Sequence, residues 1–263
     1  MSAFEVRGRR FEGGTHIMGI LNLTPDSFYP LSRAGEDVAA RALRMVADGA
    51  EIIDLGGQST RPGAKQVGAL EEMARVIPAV EKVRAVTDVP LSVDTFYPEV
   101  ADAALAAGAD MINDVSCLMY AGMADVVAAH GASLCIMHNR RESRTDDLIT
   151  DKLAGLSAAV AKAERAVVPR ERIILDGGIG FNRGAEEDWY LLEHYDLLYA
   201  AGCPLLLGAS RKSFLGGVPE TRLTATMDCS ARAARMGVLF VRVHDVKENL
   251  MAVKAALGKC EAD

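Results

Sequence analysis

The 263-residue chain lacks any excess of positive charge: 29 Lys and Arg stand against 36 Asp and Glu, for a formal net charge of -7. It has no Lys/Arg run that could track a phosphate backbone, so nucleic acid is not an expected partner. Its five cysteines, Cys117, Cys135, Cys203, Cys229 and Cys260, are odd in number and never spaced as a CxxC pair. That argues against a disulfide framework or a structural zinc site and fits a reducing cytoplasm. The opening MSAFEVRGRRFEGG has no apolar stretch of signal-peptide length, and no run approaches the ~20 apolar residues that span a bilayer. A soluble, cytoplasmic protein with no membrane partner is expected. With 50% hydrophobic and 25% charged residues, nothing reads as disordered.

What is present is a series of short apolar runs of strand length: HIMGIL from His16, EIIDL from Glu51, PLSVD from Pro90, DMIND from Asp110, SLCIMH from Ser133, RIILD from Arg172, PLLLG from Pro204 and VLFVRV from Val238. They show no polar alternation, the pattern of parallel strands buried on both faces. Helix-period segments separate them. Val38, Ala42, Met45 and Val46 form one stripe, and Leu70, Met73, Ile77 and Val80 a second in which Pro78 should introduce a kink. Pro98 can open a third helix, and Met123, Val126, Val127 and His130 line a fourth. A helix after Ala185 carries Trp189, Leu192 and Tyr199, and the last begins at Asp245, where Asp245 and Glu248 read as a capping box. Eight such βα units with no linker predict an α/β fold, a single (β/α)8 TIM barrel spanning 1-263 as one domain. A doubly wound open sheet is the competitor, but GILNLTPDSF has no Gly-rich GxGxxG turn after the first strand.

In such barrels the chemistry sits at the carboxyl ends of the strands. Here those ends hold Asn22, Asp54, Asp94, Asn113 and Asp114, His138 and Asn139, Asp176, the Ser210-Arg-Lys-Ser segment, and Arg242 and His244. An Asp or Asn after a strand often caps the next helix. Asp94, Asn113 and Asp176 stand too far ahead of theirs to do so and read as ligand-binding, whereas Asp54 and Asp114 read as structural. Two carboxylates and an amide suit a flat heterocycle with an N–H-bearing edge. Lys212, Arg61, Arg211, Arg242 and His244 gather positive charge suited to a small anion such as a diphosphate. Arg242 and His244 alternate on one strand and so face the same way. Segments 22–30 and 56–64 read as loops able to close over a substrate.

Taken together, MGILNLTPDSF, GAEIIDLGGQSTRPGA, SVDTFYPEVADAALAAGADMINDVS, IMHNR, ILDGGIGF, LLGASRKSFLG and VRVHDVKE cover nearly the whole chain in order, and on these motifs it resembles the dihydropteroate synthase family. The resemblance implies condensation of 4-aminobenzoate with 6-hydroxymethyl-7,8-dihydropterin diphosphate, giving 7,8-dihydropteroate and diphosphate in folate biosynthesis. It implies that Asp94, Asn113, Asp176 and Lys212 hold the pterin, that Met137 is a further substrate-binding residue, that Asn22 meets a magnesium ion on the diphosphate, and that Arg61, Arg242 and His244 contact its oxygens. Thr60, Arg61 and Pro62 would belong to the second loop, and Phe28, Pro62, Gly180, Phe181, Lys212 and Ser213 would surround the aminobenzoate. A homodimer through outer helices is also implied.

Three positions depart from the family pattern. Pro30 stands where an aspartate is usual, Gln58 replaces a glutamate, and Gly177 replaces a proline. The alternatives are a catalytically silent pterin-binding paralogue, for which Pro30 is the argument, and a pterin-dependent corrinoid methyltransferase. The latter would not need the cations Lys212, Arg242 and His244 together.

Overall fold

The computed structural model describes residues 3–23, 37–59, 66–139, 145–181 and 184–258. It opens with a two-stranded antiparallel hairpin, β1 (Phe4–Val6) and β2 (Arg9–Phe11). The barrel strands follow: β3 (His16–Asn22), β4 (Ile52–Gly56), β5 (Leu91–Asp94), β6 (Met111–Asp114), β7 (Ser133–Met137), β8 (Ile173–Asp176), β9 (Leu205–Leu207) and β10 (Phe240–Val243). They close in the order β10-β3-β4-β5-β6-β7-β8-β9, all parallel. The predicted barrel is therefore the observed one. Between strands run α1 (Val38–Ala47), α2 (Ala69–Arg84), α3 (Pro98–Ala106), α4 (Met123–Ala129), α5 (Leu148–Arg165), α6 (Ala185–Glu193) and α7 (Leu223–Arg235), and α8 (Val246–Ala256) follows the last strand.

Side chains alternate along each strand and form two cores. Ile17, Leu21, Ile53, Leu55, Val93, Ile112, Leu134 and Leu175 meet the helices. Met18, Ile52, Met111, Cys135, Ile174, Leu206 and Phe240 fill the lower barrel and pack with Phe4, Val6 and Phe11 of the hairpin. The hairpin thus plugs the amino-terminal end of the barrel. Arg7 and Gly8 at its turn have φ of 51° and 68°, the left-handed pair that a two-residue hairpin turn demands. No strand was predicted there, since three-residue strands carry too little alternation to be seen.

Several local expectations change. Leu70 is exposed, and the buried stripe of α2 is Val76, Ala79, Val80 and Val83, joined by Glu72. The helix continues on both sides of Pro78. His130 closes α4 from outside, bonding Asp102 Oδ1 at 2.7 Å. The helix expected through Tyr199 stops at Glu193 and gives way to 3-10 turns over Tyr195–Ala201. That break turns the Tyr195 side chain inward, where it is fully buried. Asp245 does stand at the N-cap of α8, but makes no side-chain capping bond. Its carboxylate is taken by Arg211 instead, with Nε 2.8 Å from Oδ2 and Nη2 on Oδ1.

Candidate active site

Two residues above the apolar barrel filling, the inward positions become polar. On β10 Arg242 follows Phe240, on β4 Asp54 follows Ile52, on β6 Asn113 follows Met111, and on β8 Asp176 follows Ile174. Register aligns Asn22 with Gly56, Gly56 with Asp94, and Asp94 with Asn113. These side chains therefore converge on the carboxyl-terminal mouth.

Arg242 is the hub of the group. Its Nε donates to Asp54 Oδ2 at 2.6 Å and its Nη2 to Asp94 Oδ2 at 2.8 Å. Asn113 Nδ2 approaches the same Asp54 oxygen at 3.4 Å. The second oxygens, Asp54 Oδ1 and Asp94 Oδ1, are buried with no hydrogen-bond partner among the described residues. A buried acceptor left unmade is costly, and two such acceptors side by side suit a ligand that brings donors. Burial pushes the Asp94 carboxyl up to about 7, with Arg242 opposing the rise and Asp54 adding to it. Burial also works against the Arg242 charge, but Asp54 and Asp94 outweigh it and hold that guanidinium above its ordinary value.

Asp176 is fixed from one side. Its Oδ1 accepts from Gly178 N–H at 2.8 Å and lies 3.1 Å from the Tyr195 hydroxyl, which itself accepts from Gly177 N–H at 2.8 Å and meets the Leu206 carbonyl at 2.6 Å. The Gly177 amide is thus in use, a bond that a proline could not make. Gly178, at φ +74°, has no room for a side chain, since a Cβ would lie 2.0 Å from the His138 carbonyl oxygen. Beside Asp176, Lys212 donates to the Ile179 carbonyl and sits 4.8 Å from the centroid of Phe181. Burial lowers its ammonium to about 8, and Asp176 is the leading charge acting the other way.

A second group lies at the β3–β10 edge. His244 Nδ1 is 2.9 Å from Ser210 Oγ and its Nε2 is 3.4 Å from Asn22 Nδ2. That arrangement leaves the Asn22 amide oxygen for another partner. Arg211, grouped with the anion-binding cations by sequence, is paired with Asp245 and has 9% of its side chain exposed. It belongs to the wall rather than to the mouth.

The structure therefore brings Asn22, Asp94, Asn113, Asp176, Lys212, Arg242 and His244 to one end of the barrel. Met137 is buried at the end of β7, opposite Asp176 in register. Phe181 follows Gly180 beside Lys212, and Ser213 is exposed at the start of a 3-10 turn. Phe28, Pro30, Thr60, Arg61 and Pro62 lie outside the described residues. Asp114 is structural: it accepts from the Ser116 and Leu118 amides at 2.8 and 2.6 Å, holding a turn in which Cys117 and Leu118 have positive φ. His138 also turns away from the mouth, its ring so close to α5 that a Cβ on Gly155 would lie 2.1 Å from it. Sequence reasoning missed Tyr195, hidden by the expectation of a continuous helix. It also missed Glu72, which reads as an ordinary acid in a helix's first turn.

Comparison with known proteins agrees with this geometry. The model of the family described as pterin binding enzyme matches residues 18–244. A Bacillus subtilis protein named dihydropteroate synthase is 42% identical over 241 residues, 89% of this chain and 85% of its own. A Halobacterium salinarum protein described as a bifunctional folylpolyglutamate synthase/dihydropteroate synthase is 45% identical over 254 residues, 92% of this chain. The chain spans only 31% of that relative's length. A crystal structure of Burkholderia cenocepacia dihydropteroate synthase complexed with 7,8-dihydropteroate superposes with a TM-score of 0.88 at 37% identity, covering 98% of this chain and 96% of its own. With a family match over most of its length and a relative of similar extent, this chain belongs to the pterin-binding enzyme family.

Proposed function

We propose that this protein is a dihydropteroate synthase, joining 4-aminobenzoate to 6-hydroxymethyl-7,8-dihydropterin diphosphate. The observation that carries the reading is the division of the mouth. Buried carboxylates Asp94 and Asp176, with Lys212 beside Asp176, face into the mouth for a pterin, and His244 and Asn22 lie at the β3–β10 edge, for the anion. In the reaction the bond between the exocyclic methylene carbon and the diphosphate oxygen breaks, and diphosphate leaves with the electron pair. The amine nitrogen forms the new C–N bond and gives up a proton. An arylamine is nucleophilic while neutral, so this chain's contribution is to hold the pterin, accept charge on the leaving group and keep water out.

The donor set fits magnesium delivered with the diphosphate. Among the described residues no group of three or more His, Cys, Asp and Glu is placed to hold a metal by itself, and magnesium characteristically takes one or two protein ligands together with substrate phosphates. Asn22, through its amide oxygen, would hold it, and the ion would neutralise charge on the departing diphosphate. The family resemblance implies a homodimer through outer helices, which sedimentation velocity would test. Cys117, Cys135, Cys203 and Cys229 are free thiols, in keeping with a cytoplasmic setting, and no described helix is long and apolar enough to cross a membrane.

The direct test is incubation of purified protein with both substrates, with and without magnesium, reading 7,8-dihydropteroate by mass and diphosphate by coupled assay. Magnesium-dependent formation of both products in equal amounts is expected. Pterin binding without any product would favour the silent paralogue.

A further inference from the structure

The ends of β4 and β5 are joined by a buried carboxyl that the reaction above leaves without a role. Glu72, in the first turn of α2, has 0% exposure. Its Oε2 accepts from Gln58 Nε2 at 2.9 Å and from Thr95 Oγ1 at 3.2 Å. Gln58 lies two residues beyond β4, and Thr95 is the residue after Asp94. Thr95 is held at two further points, its N–H on the Asn113 carbonyl at 3.2 Å and its Oγ1 accepting from Tyr97 N–H at 3.2 Å. The β4 end is pressed onto the same helical turn: a Cβ on Gly57 would lie 2.9 Å from Glu72 Cγ and 2.5 Å from Val76 Cγ2. Glu72 Oε1 and Gln58 Oε1 are both buried without a partner among the described residues. An apolar side chain here would avoid the cost of burying an acid, so packing alone does not account for the residue.

We propose that Glu72 is a positioning residue for pterin binding: through Thr95, and with Gln58 as its second anchor, it fixes the direction of the Asp94 carboxylate. The inference rests on Asp94 being a pterin acceptor. The ionisable groups facing Glu72 are Asp94 and Tyr97 from β5 and the turn after it, and Arg75 from its own helix. Arg75 is engaged by the Gly57 carbonyl at 2.9 Å and by Glu71. Burial first, and then the Asp94 charge, push the Glu72 carboxyl up to about 8. At neutral pH Glu72 is thus a neutral acid and adds no full charge beside Asp94, which itself titrates near 7. Above about 8 its ionisation opposes the Asp94 charge.

The experiment is calorimetric binding of 6-hydroxymethyl-7,8-dihydropterin to the natural protein, Glu72→Ala and Glu72→Gln at pH 7 and pH 9, with thermal unfolding as a check on folding. At pH 7 Glu72→Ala should bind about tenfold more weakly, and Glu72→Gln, which keeps the acceptor for Gln58 and Thr95, should recover most of that loss. Between pH 7 and 9 the natural protein should lose more affinity than Glu72→Gln, which cannot ionise. Asp94 and Lys212 titrate in both, so the difference between the curves belongs to Glu72. Natural affinity in Glu72→Ala would overturn the proposal, as would Glu72→Gln no better than Glu72→Ala at pH 7. If Glu72→Ala does not fold, parallel pH curves for the natural protein and Glu72→Gln would overturn it. Failure of the natural protein to bind the pterin at pH 7 would instead reject the functional reading on which the proposal rests.

Discussion

On β10 a single intervening residue separates Phe240, which packs against Phe11 at 5.0 Å, His16 at 5.4 Å and Phe4 at 6.1 Å, from Arg242, which is forked between two carboxylates. The floor and the mouth of this barrel are built from the same strands by the same alternation, yet their energetics are opposed. The floor gains stability from dry packing sealed by the hairpin. In the mouth Asp94 holds its proton more tightly than a free carboxylate, Lys212 less tightly than a free amine, and two buried oxygens have no partner among the described residues. Such groups detract from stability and are repaid only when a ligand supplies the missing bonds.

The largest effect expected from breaking this contrast is in the floor. Phe240→Ala removes the ring on which Phe4, Phe11 and His16 converge and should cost about 3 to 5 kcal/mol of stability, read by urea unfolding. Pterin affinity measured on the folded protein should change little. A stability loss below about 1 kcal/mol would mean that the hairpin is not the seal it looks to be.

The mouth should respond the other way. Asp94→Ala and Asp176→Ala should each weaken pterin binding by about 10- to 100-fold, the worth of a hydrogen bond to a charged acceptor, while unfolding midpoints stay near the natural value. For Asp94 the sign is explicit. Its folded value of about 7 exceeds the ordinary 3.8, so its contribution to stability is fully present below about 4 and is lost as pH rises through 7. Asp94→Asn should flatten that stretch of the stability profile of the ligand-free protein. An unchanged slope between pH 4 and 7 would contradict it.

The same contrast governs what could be read from sequence. Floor and strands were legible because buried β-branched and aliphatic runs carry their own signal, and the mouth because polar residues at the ends of such runs break it. The hairpin, at three residues per strand, was too short for either, although Arg7-Gly8 offered a turn. Glu72 and Tyr195 were hidden for a different reason. Glu72 is one residue out of step with the stripe expected of α2, Tyr195 lies just past an unexpected helix end, and only three-dimensional packing shows Glu72 inside while Leu70 is outside. Arg211 was misassigned because a cation next to Lys212 looks alike whether it faces substrate or Asp245.

A smaller effect should appear in the pH dependence of binding. Below about 7 Asp94 takes up its proton and ceases to be a full acceptor, and above about 8 Lys212 loses its own. Affinity for 6-hydroxymethyl-7,8-dihydropterin should therefore peak between these values and fall by up to about tenfold per pH unit on either side. Calorimetry from pH 6 to 9 reads it, and Asp94→Asn should abolish the acid limb while leaving the alkaline one. A flat profile would detach both residues from the pterin.

The smallest effect separates the two ways in which the floor could be held. Arg7, at the hairpin turn, bonds Asp110 at 3.0 Å and Asp88 at 3.3 Å, and Asp88 is 98% exposed. Exposed ion pairs of this kind contribute little because water screens the charges and the long side chains lose freedom. Asp110 is better placed, but it is already bound by Arg84 Nη2 at 2.6 Å and by the Leu91 amide at 2.9 Å, so it needs no charge from the hairpin. Asp88→Ala should accordingly shift stability by no more than about 0.5 kcal/mol and leave pterin binding untouched. Set against the loss in Phe240→Ala, that result would show that the exposed pair adds little to the seal. A loss above about 1 kcal/mol in urea unfolding, and one that shrinks in high salt, would assign it to charge and make the floor more like the mouth than its composition implies.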